Sequence, residues 1–138
     1  MKFATTIAIA APAARIWSLL TDAQSYPSWN ITIDKIDGRI AFGEKITVHA
    51  KINPGRTFPV RVAEFVPCSR MVWSGGMPRG LFKGVRTFTL LEKDGQTSFE
   101  MSEVYSGPLS SLIERSLPDL QPAFDEFASA LKKRAEGA

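Results

Sequence analysis

The sequence predicts an α+β fold in which a curved antiparallel sheet of seven strands covers one long C-terminal helix. The helix is the clearest element, because apolar side chains recur at gaps of four and three residues, the period of a helix with one apolar stripe. The stripe positions are Ile113, Leu117, Leu120, Phe124, Phe127 and Leu131. Seven other stretches alternate between apolar and polar residues or form short apolar runs between turn residues, which is typical of strands.

The composition is that of a globular domain. The chain has 138 residues, of which 44% are hydrophobic and 22% charged. We expect one domain over residues 1–138 that buries about two thirds of its unfolded surface. No run of about 18 apolar residues and no signal-peptide core occurs, so we expect a cytoplasmic protein without membrane insertion. The net charge of +3 is mild, and we assign the basic cluster at 132–134 to a solvated helix end, with no nucleic-acid contact.

The first half of the chain predicts one strand, two short helices and two more strands. Pro12 opens the first helix, since proline is tolerated in a first turn. The strand that contains His49 alternates apolar residues with polar ones. The predicted ranges are 3–9 (strand), 13–21 and 22–29 (helices), and 30–36 and 44–52 (strands).

The second half completes the sheet. Strands are predicted at 57–66, 71–74, 85–92 and 97–106, with a glycine-rich connection between the second and the third. The two-residue turn Asp94-Gly95 fixes the register of the last hairpin. In that register Arg86 lies opposite Glu103 on the more apolar face, which we expect to face the helix.

The C-terminal helix is predicted over 109–133 with a kink or break at 117–122. Pro118 and Pro122 each remove a backbone donor there, and a proline inside a helix costs about 3 kcal/mol. Ser116 and Asp119 resemble a capping box for a restarted helix.

Short motifs along nearly the whole chain have a familiar order and spacing. They are Ile7-Ala8-Ile9-Ala10-Ala11-Pro12, Ile16-Trp17, Leu20-Thr21-Asp22, Tyr26-Pro27-Ser28-Trp29-Asn30, Pro67 with Met71-Val72-Trp73, Gly84-Val85-Arg86-Thr87-Phe88-Thr89-Leu90, Glu103-Val104-Tyr105-Ser106-Gly107 and Leu131-Lys132. This arrangement resembles the SRPBCC (START-like, helix-grip) superfamily, and within it the small bacterial polyketide cyclase/dehydrase-like proteins. The resemblance implies a seven-stranded sheet that grips the C-terminal helix, with a cavity between them. It implies no shared catalytic residues.

Arg86 and Glu103 are the best candidates for chemistry. In an apolar cavity Arg86 could bind a ligand carboxylate or enolate and Glu103 could act as acid or base. Alternatively, the two form a structural pair that fixes the sheet register. The aromatic candidates line either the cavity or the core. The full set of predicted ligand contacts is Arg86, Glu103, Tyr105, Trp73, Phe88, Met101, Trp29 and Phe124.

Other motifs point away from metal, cofactor or nucleophile chemistry. His49 is the only histidine and Cys68 the only cysteine, so a Ser-His-Asp triad on the inner face or a His-rich metal site is not expected. We expect no cofactor. The stretch Gly75–Gly84 lacks the spacing of a phosphate loop. It is either an apolar lid over the cavity mouth, formed by Met77, Leu81 and Phe82, or an ordinary connection.

Three functions fit these observations. The preferred one is binding of a hydrophobic or amphipathic small molecule or lipid that carries one anionic or carbonyl group. The second is a cyclase or dehydratase in which Glu103 moves protons and Arg86 stabilises an enolate. The third is a protein-interaction module. A monomer and a homodimer are equally compatible with the sequence.

Overall fold

The structure, a computed structural model, describes residues 2–51, 55, 57–116 and 119–137. In these residues seven strands form one antiparallel sheet. The strands are β1 (Lys2–Ile9), β2 (Ile33–Asp37), β3 (Lys45–Ala50), β4 (Phe58–Val66), β5 (Arg70–Gly76), β6 (Lys83–Lys93) and β7 (Gln96–Ser106). Their order across the sheet is β1-β7-β6-β5-β4-β3-β2, so the first strand pairs with the last. The predicted sheet of seven antiparallel strands is confirmed.

Four helices accompany the sheet in the described ranges. They are α1 (Ala13–Thr21), α2 (Tyr26–Trp29), α3 (Ser110–Glu114) and α4 (Gln121–Glu136). Short 3-10 turns precede α2 at Ala23–Ser25 and lie between β5 and β6 at Pro78–Gly80. None of the helices in these ranges is long and apolar enough to cross a membrane.

The predicted break in the C-terminal helix separates α3 from α4, and its start differs in detail from the prediction. The Asp119 carboxylate accepts a hydrogen bond from the Gln121 backbone N–H at 3.1 Å, which supports the first turn of α4. The Ser116 hydroxyl and backbone N–H both donate to the Ile113 carbonyl, the hydroxyl at 2.8 Å. The predicted Ser116–Asp119 capping box was therefore wrong, since neither of its two hydrogen bonds forms. Leu117 and Pro118 lie outside the described residues. The helix also runs to Glu136 rather than to 133.

The second strand begins later than predicted because a side chain forms a turn before it. The Asn30 carboxamide oxygen accepts hydrogen bonds from the backbone N–H and the hydroxyl of Thr32, at 2.9 Å and 2.7 Å. An asparagine that bonds two residues ahead forms a turn and competes with strand pairing. The predicted strand at 30–36 therefore starts at Ile33.

The register of the last hairpin matches the prediction at every pair. Asp94 and Gly95 both have positive φ, at 54° and 78°, as a tight hairpin turn of this type requires. Pairing runs from Lys93 opposite Gln96 to Lys83 opposite Ser106. On the inner face, the rings of Phe88 and Phe99 pack against Phe127 of α4, so this face of the hairpin faces α4 as predicted.

Aromatic rings fill the middle of the space between the sheet and α4. The Phe127 ring lies 6.1 Å from Phe88, 6.4 Å from Phe99 and 5.8 Å from Trp29, measured between centroids. Such pairs add about 0.5–1.5 kcal/mol each to the burial of their surfaces. At this level of the fold the sheet–helix space is core, and any ligand must lie nearer one end.

Candidate functional site

A row of inward side chains crosses four neighbouring strands at one end of this core. Trp73 on β5 lies opposite Arg86 on β6, Arg86 opposite Glu103 on β7, and Glu103 opposite Phe3 on β1. Sheet pairing thus brings together residues about 100 positions apart in sequence. Trp73 and Phe3 are buried, while Arg86 and Glu103 are half-buried.

Arg86 and Glu103 form an ion pair at the edge of the apolar core. The Nε of Arg86 donates to Oε1 of Glu103 at 2.8 Å, and the two side chains are 20% and 15% exposed. The guanidinium carbon also lies 4.8 Å above the centroid of the Phe124 ring on α4. The pair therefore joins β6 to β7, while the guanidinium contacts the helix through a cation–π interaction.

Tyr105 completes this polar cluster. Its hydroxyl donates to the second carboxylate oxygen of Glu103. Burial raises the pKa of Tyr105 well above its ordinary value, and the negative charge of Glu103 and the hydrogen bond to it raise the pKa further. The phenol therefore stays protonated and remains a donor at neutral pH.

The Tyr105 ring occupies the space that a glycine leaves. Gly84 lies opposite Tyr105 in the sheet, and a Cβ built at Gly84 would come within 3.2 Å of the ring. Phe82 stacks on the same ring at 5.5 Å, and Phe3 meets it edge-on at 6.3 Å. The walls of the cluster are thus aromatic, and its polar atoms converge on the Glu103 carboxylate.

The connection next to this cluster is shorter than predicted. β5 continues to Gly76 and β6 begins at Lys83, so the predicted connection Gly75–Gly84 is wrong at both ends. Gly76 has a φ of 149°, and a Cβ there would come within 2.1 Å of the Phe82 carbonyl, so only glycine fits this close approach. Met77 and Leu81 in the remaining loop are exposed. That this loop acts as a lid stays a prediction.

The predicted ligand contacts divide into two groups. Arg86, Glu103, Tyr105, Phe124 and Trp73 come together as described above. The other three lie in the packed core: Phe88 and Met101 are fully buried, and Trp29 packs against Phe127 with its indole N–H donating to the Ser25 hydroxyl at 3.1 Å.

Sequence reasoning missed two neighbours of the cluster. Phe3 joins it only through the pairing of β1 with β7, which no local signal predicts. Glu114 on α3 acts on Tyr105 electrostatically, since its negative charge also raises the Tyr105 pKa. The sequence could have indicated Phe3, because alternation along its strand places it on the inner face. We find no sequence signal that would have indicated Glu114.

Two buried donors have no acceptor in the part of the chain that the structure describes. They are the indole N–H of Trp73, which is 2% exposed, and the carboxamide NH₂ of Asn30. An unsatisfied buried donor costs about 1–3 kcal/mol. The Trp73 indole lies beside Arg86 in the inner row and packs edge-on against Phe88, with the ring centroids 4.8 Å apart.

His49 and Cys68 lie apart from this cluster. The His49 side chain is half-buried, and its ring nitrogen Nε2 is 2.7 Å from a carboxylate oxygen of Asp37 on the neighbouring strand. Cys68 is exposed in a turn. Among the residues that the structure describes, no group of three His, Cys, Asp or Glu side chains could hold a metal ion.

Comparisons with known proteins agree with this architecture. A family model described as polyketide cyclase/dehydrase and lipid transport matches residues 1–136. The oxopyrrolidines biosynthesis cluster protein O of Penicillium oxalicum is 28% identical, and the match covers 76% of this chain and 71% of that protein.

Two solved structures share the fold. The Zhui aromatase/cyclase from Streptomyces sp. R1128 superposes with a TM-score of 0.75 at 14% identity, covering 99% of this chain and 93% of its own. A START superfamily protein from Mycobacterium smegmatis superposes with a TM-score of 0.69 at 19% identity, covering 98% and 97%. The helix-grip fold predicted from the sequence is confirmed.

Proposed function

Because the chain belongs to the polyketide cyclase/dehydrase and lipid transport family, we propose that it binds a hydrophobic or amphipathic small molecule between the sheet and α4. The binding end is the one where Arg86, Glu103 and Tyr105 meet. One observation carries this proposal: a half-buried ion pair lies at the edge of an aromatic core, and the described residues use only part of its hydrogen-bonding capacity. Ligand sites combine apolar walls with a few converging polar groups in this way.

Arg86 is the group that would select the polar end of the ligand. Among the described residues, Glu103 accepts a hydrogen bond from the Nε of Arg86 and not from its terminal NH₂ groups. A guanidinium has five N–H donors, so its terminal NH₂ groups have donors for a ligand carboxylate or carbonyl. The Phe124 ring lies against the guanidinium, with its centroid 4.8 Å from the guanidinium carbon. This contact reduces the freedom of the Arg86 side chain that binding would have to restrict.

The apolar part of the ligand would contact the aromatic walls. Phe3, Phe82 and Phe124 surround the polar cluster. On the core side, Phe127 and the ring of Phe88 that it contacts fill the region between the sheet and α4. A ligand with one anionic or carbonyl group and an apolar body matches this arrangement. Each buried methylene of such a body contributes about 0.8 kcal/mol.

Binding of matched amphiphiles tests the proposal. We would titrate the protein with a fatty acid and with the fatty alcohol of the same length, following tryptophan fluorescence. The acid should bind more tightly, and Arg86→Met should remove that preference. Arg70→Met is a matched control, because Arg70 also pairs with a glutamate, Glu64, but the two side chains are 45% and 51% exposed. The proposal would be contradicted if neither amphiphile binds, if the acid binds no more tightly than the alcohol, or if the preference for the acid survives Arg86→Met.

A second candidate is enzymatic, and the contact between Tyr105 and Glu103 favours it. In a cyclisation or dehydration, Glu103 would remove a proton from the carbon next to a ligand carbonyl, and Arg86 would stabilise the resulting enolate. The Tyr105 hydroxyl would hold the carboxylate in position. Glu103→Gln then abolishes turnover of a polyketide-like substrate while binding is preserved. Loss of thermal stability alone would leave the binding function as the better account.

A further inference from the structure

A groove of about 660 Å³ lies away from the polar cluster, on the outer face of α4. This face is opposite the one that carries the buried residues Phe124, Phe127 and Leu131. Trp29 and Ile31 form the other wall of the groove. The α4 side chains in it are Asp125, Glu126, Ser129, Ala130, Lys133 and Arg134.

The charges on this face follow a self-complementary pattern. Two acids, Asp125 and Glu126, precede the small residues at the middle of the groove, and two bases, Lys133 and Arg134, follow them. Of these four, residues at equal distances before and after the midpoint between Ser129 and Ala130 carry opposite charges. The acidic and the basic ends lie about 12 Å apart, at about 1.5 Å per residue of helix.

We propose that this face of α4 is the interface of a homodimer with two-fold symmetry, in which the groove receives α4 of a second copy. An interface of this kind uses the same surface on both subunits and must be self-complementary. Antiparallel helices would place the acidic end of each copy against the basic end of the other. The Ser129–Ala130 step would lie on the two-fold axis, where small side chains allow helices to approach to about 8 Å.

The groups needed for this contact are available. Within the described residues, no intramolecular ion pair occupies Glu126, Lys133 or Arg134, and all three are exposed. Ile31 at the edge of the groove is 60% exposed and would be covered by the partner helix. Two sets of opposite charges, related by symmetry, favour a second copy over a partner of uniform charge.

This interface does not depend on the proposed ligand site, and its test is separate. Sedimentation velocity over a concentration series should show a monomer–dimer equilibrium that weakens as salt is added. Glu126→Lys and Lys133→Glu should each weaken dimerisation by about tenfold or more, because each places like charges opposite one another at both ends. The matched controls are Glu100→Lys and Lys93→Glu, which make the same changes in charge at exposed positions of the sheet.

Mixing the two groove variants gives the sharpest result. A Glu126→Lys chain and a Lys133→Glu chain should form a heterodimer, because together they restore opposite charges at both ends. The double variant Glu126→Lys/Lys133→Glu should dimerise with itself for the same reason. A wild-type chain that stays monomeric at every concentration would overturn the proposal. A dimer that tolerates both single reversals, or single variants that fail to associate on mixing, would also overturn it.

Discussion

Replacing Glu103 by glutamine tests whether the ion pair behaves as a buried or as an exposed one. The substitution keeps the size of the side chain and one acceptor oxygen, but removes the charge that Arg86 and Tyr105 both contact. Exposed pairs contribute about 0.2–1 kcal/mol, whereas breaking a fully buried pair costs about 3–5 kcal/mol. With side chains 20% and 15% exposed, we expect the free energy of unfolding to fall by about 1–3 kcal/mol.

Urea unfolding of four proteins measures this effect: the wild type, Glu103→Gln, Arg86→Met and the double variant. Because each single change leaves its partner without an opposite charge, the double variant should lose less than the sum of the two singles. Glu64→Gln is the matched control, since its pair with Arg70 is about half exposed, and it should cost less than about 1 kcal/mol. Equal losses for Glu103→Gln and Glu64→Gln would refute the assignment of Arg86–Glu103 as a partly desolvated pair.

Three further outcomes follow from the packing and from one pKa shift. Gly84→Ala puts a Cβ within 3.2 Å of the Tyr105 ring, which cannot yield freely because Phe82 stacks on it and its hydroxyl bonds Glu103. The substitution should lower the free energy of unfolding by about 1–3 kcal/mol and change the near-ultraviolet circular dichroism of the protein. Phe127→Ala should cost about 3–5 kcal/mol in urea unfolding, because the ring fills the centre of the sheet–helix space. The hydrogen bond from His49 lowers the pKa of Asp37. A lowered pKa in the folded state contributes stability above the unfolded pKa of about 4, and this stability is lost as the pH falls through the folded pKa. When the pH is lowered from 7 to below 4, the thermal unfolding temperature should therefore fall less for Asp37→Asn than for the wild type. Equal falls would contradict a stabilising contact between His49 and the Asp37 carboxylate.

Local patterns predicted the part of the site that lies on one hairpin. The two-residue turn at Asp94-Gly95 fixes every pair of β6 and β7, and with it the contact of Arg86 with Glu103. The apolar stripe predicted that Phe124 and Phe127 face the sheet, and both are buried. These predictions succeed because each depends on interactions within a hairpin or along one helix.

The remaining parts of the site depend on contacts between distant segments. The pairing of β1 with β7 brings Phe3 beside Glu103, and alternation within a strand cannot indicate which strand lies next to it. Glycines also led to wrong predicted ends for β5 and β6. Gly75 lies opposite Gly84 inside the sheet, and a Cβ at Gly75 would come within 2.6 Å of the Pro59 carbonyl. Glycine is required there by close packing, whereas its low strand propensity predicts a loop.

Native mass spectrometry of the freshly purified protein, followed by solvent extraction, tests the central claim most directly. We predict a discrete added mass that disappears on extraction and whose chemical class is an amphiphile with an anionic or carbonyl group. The added mass should be reduced in Arg86→Met and retained in Arg70→Met. An unchanged mass of the protein alone, even after exposure to a panel of lipids and aromatic polyketides, would contradict the account and leave the sheet–helix space as packed core.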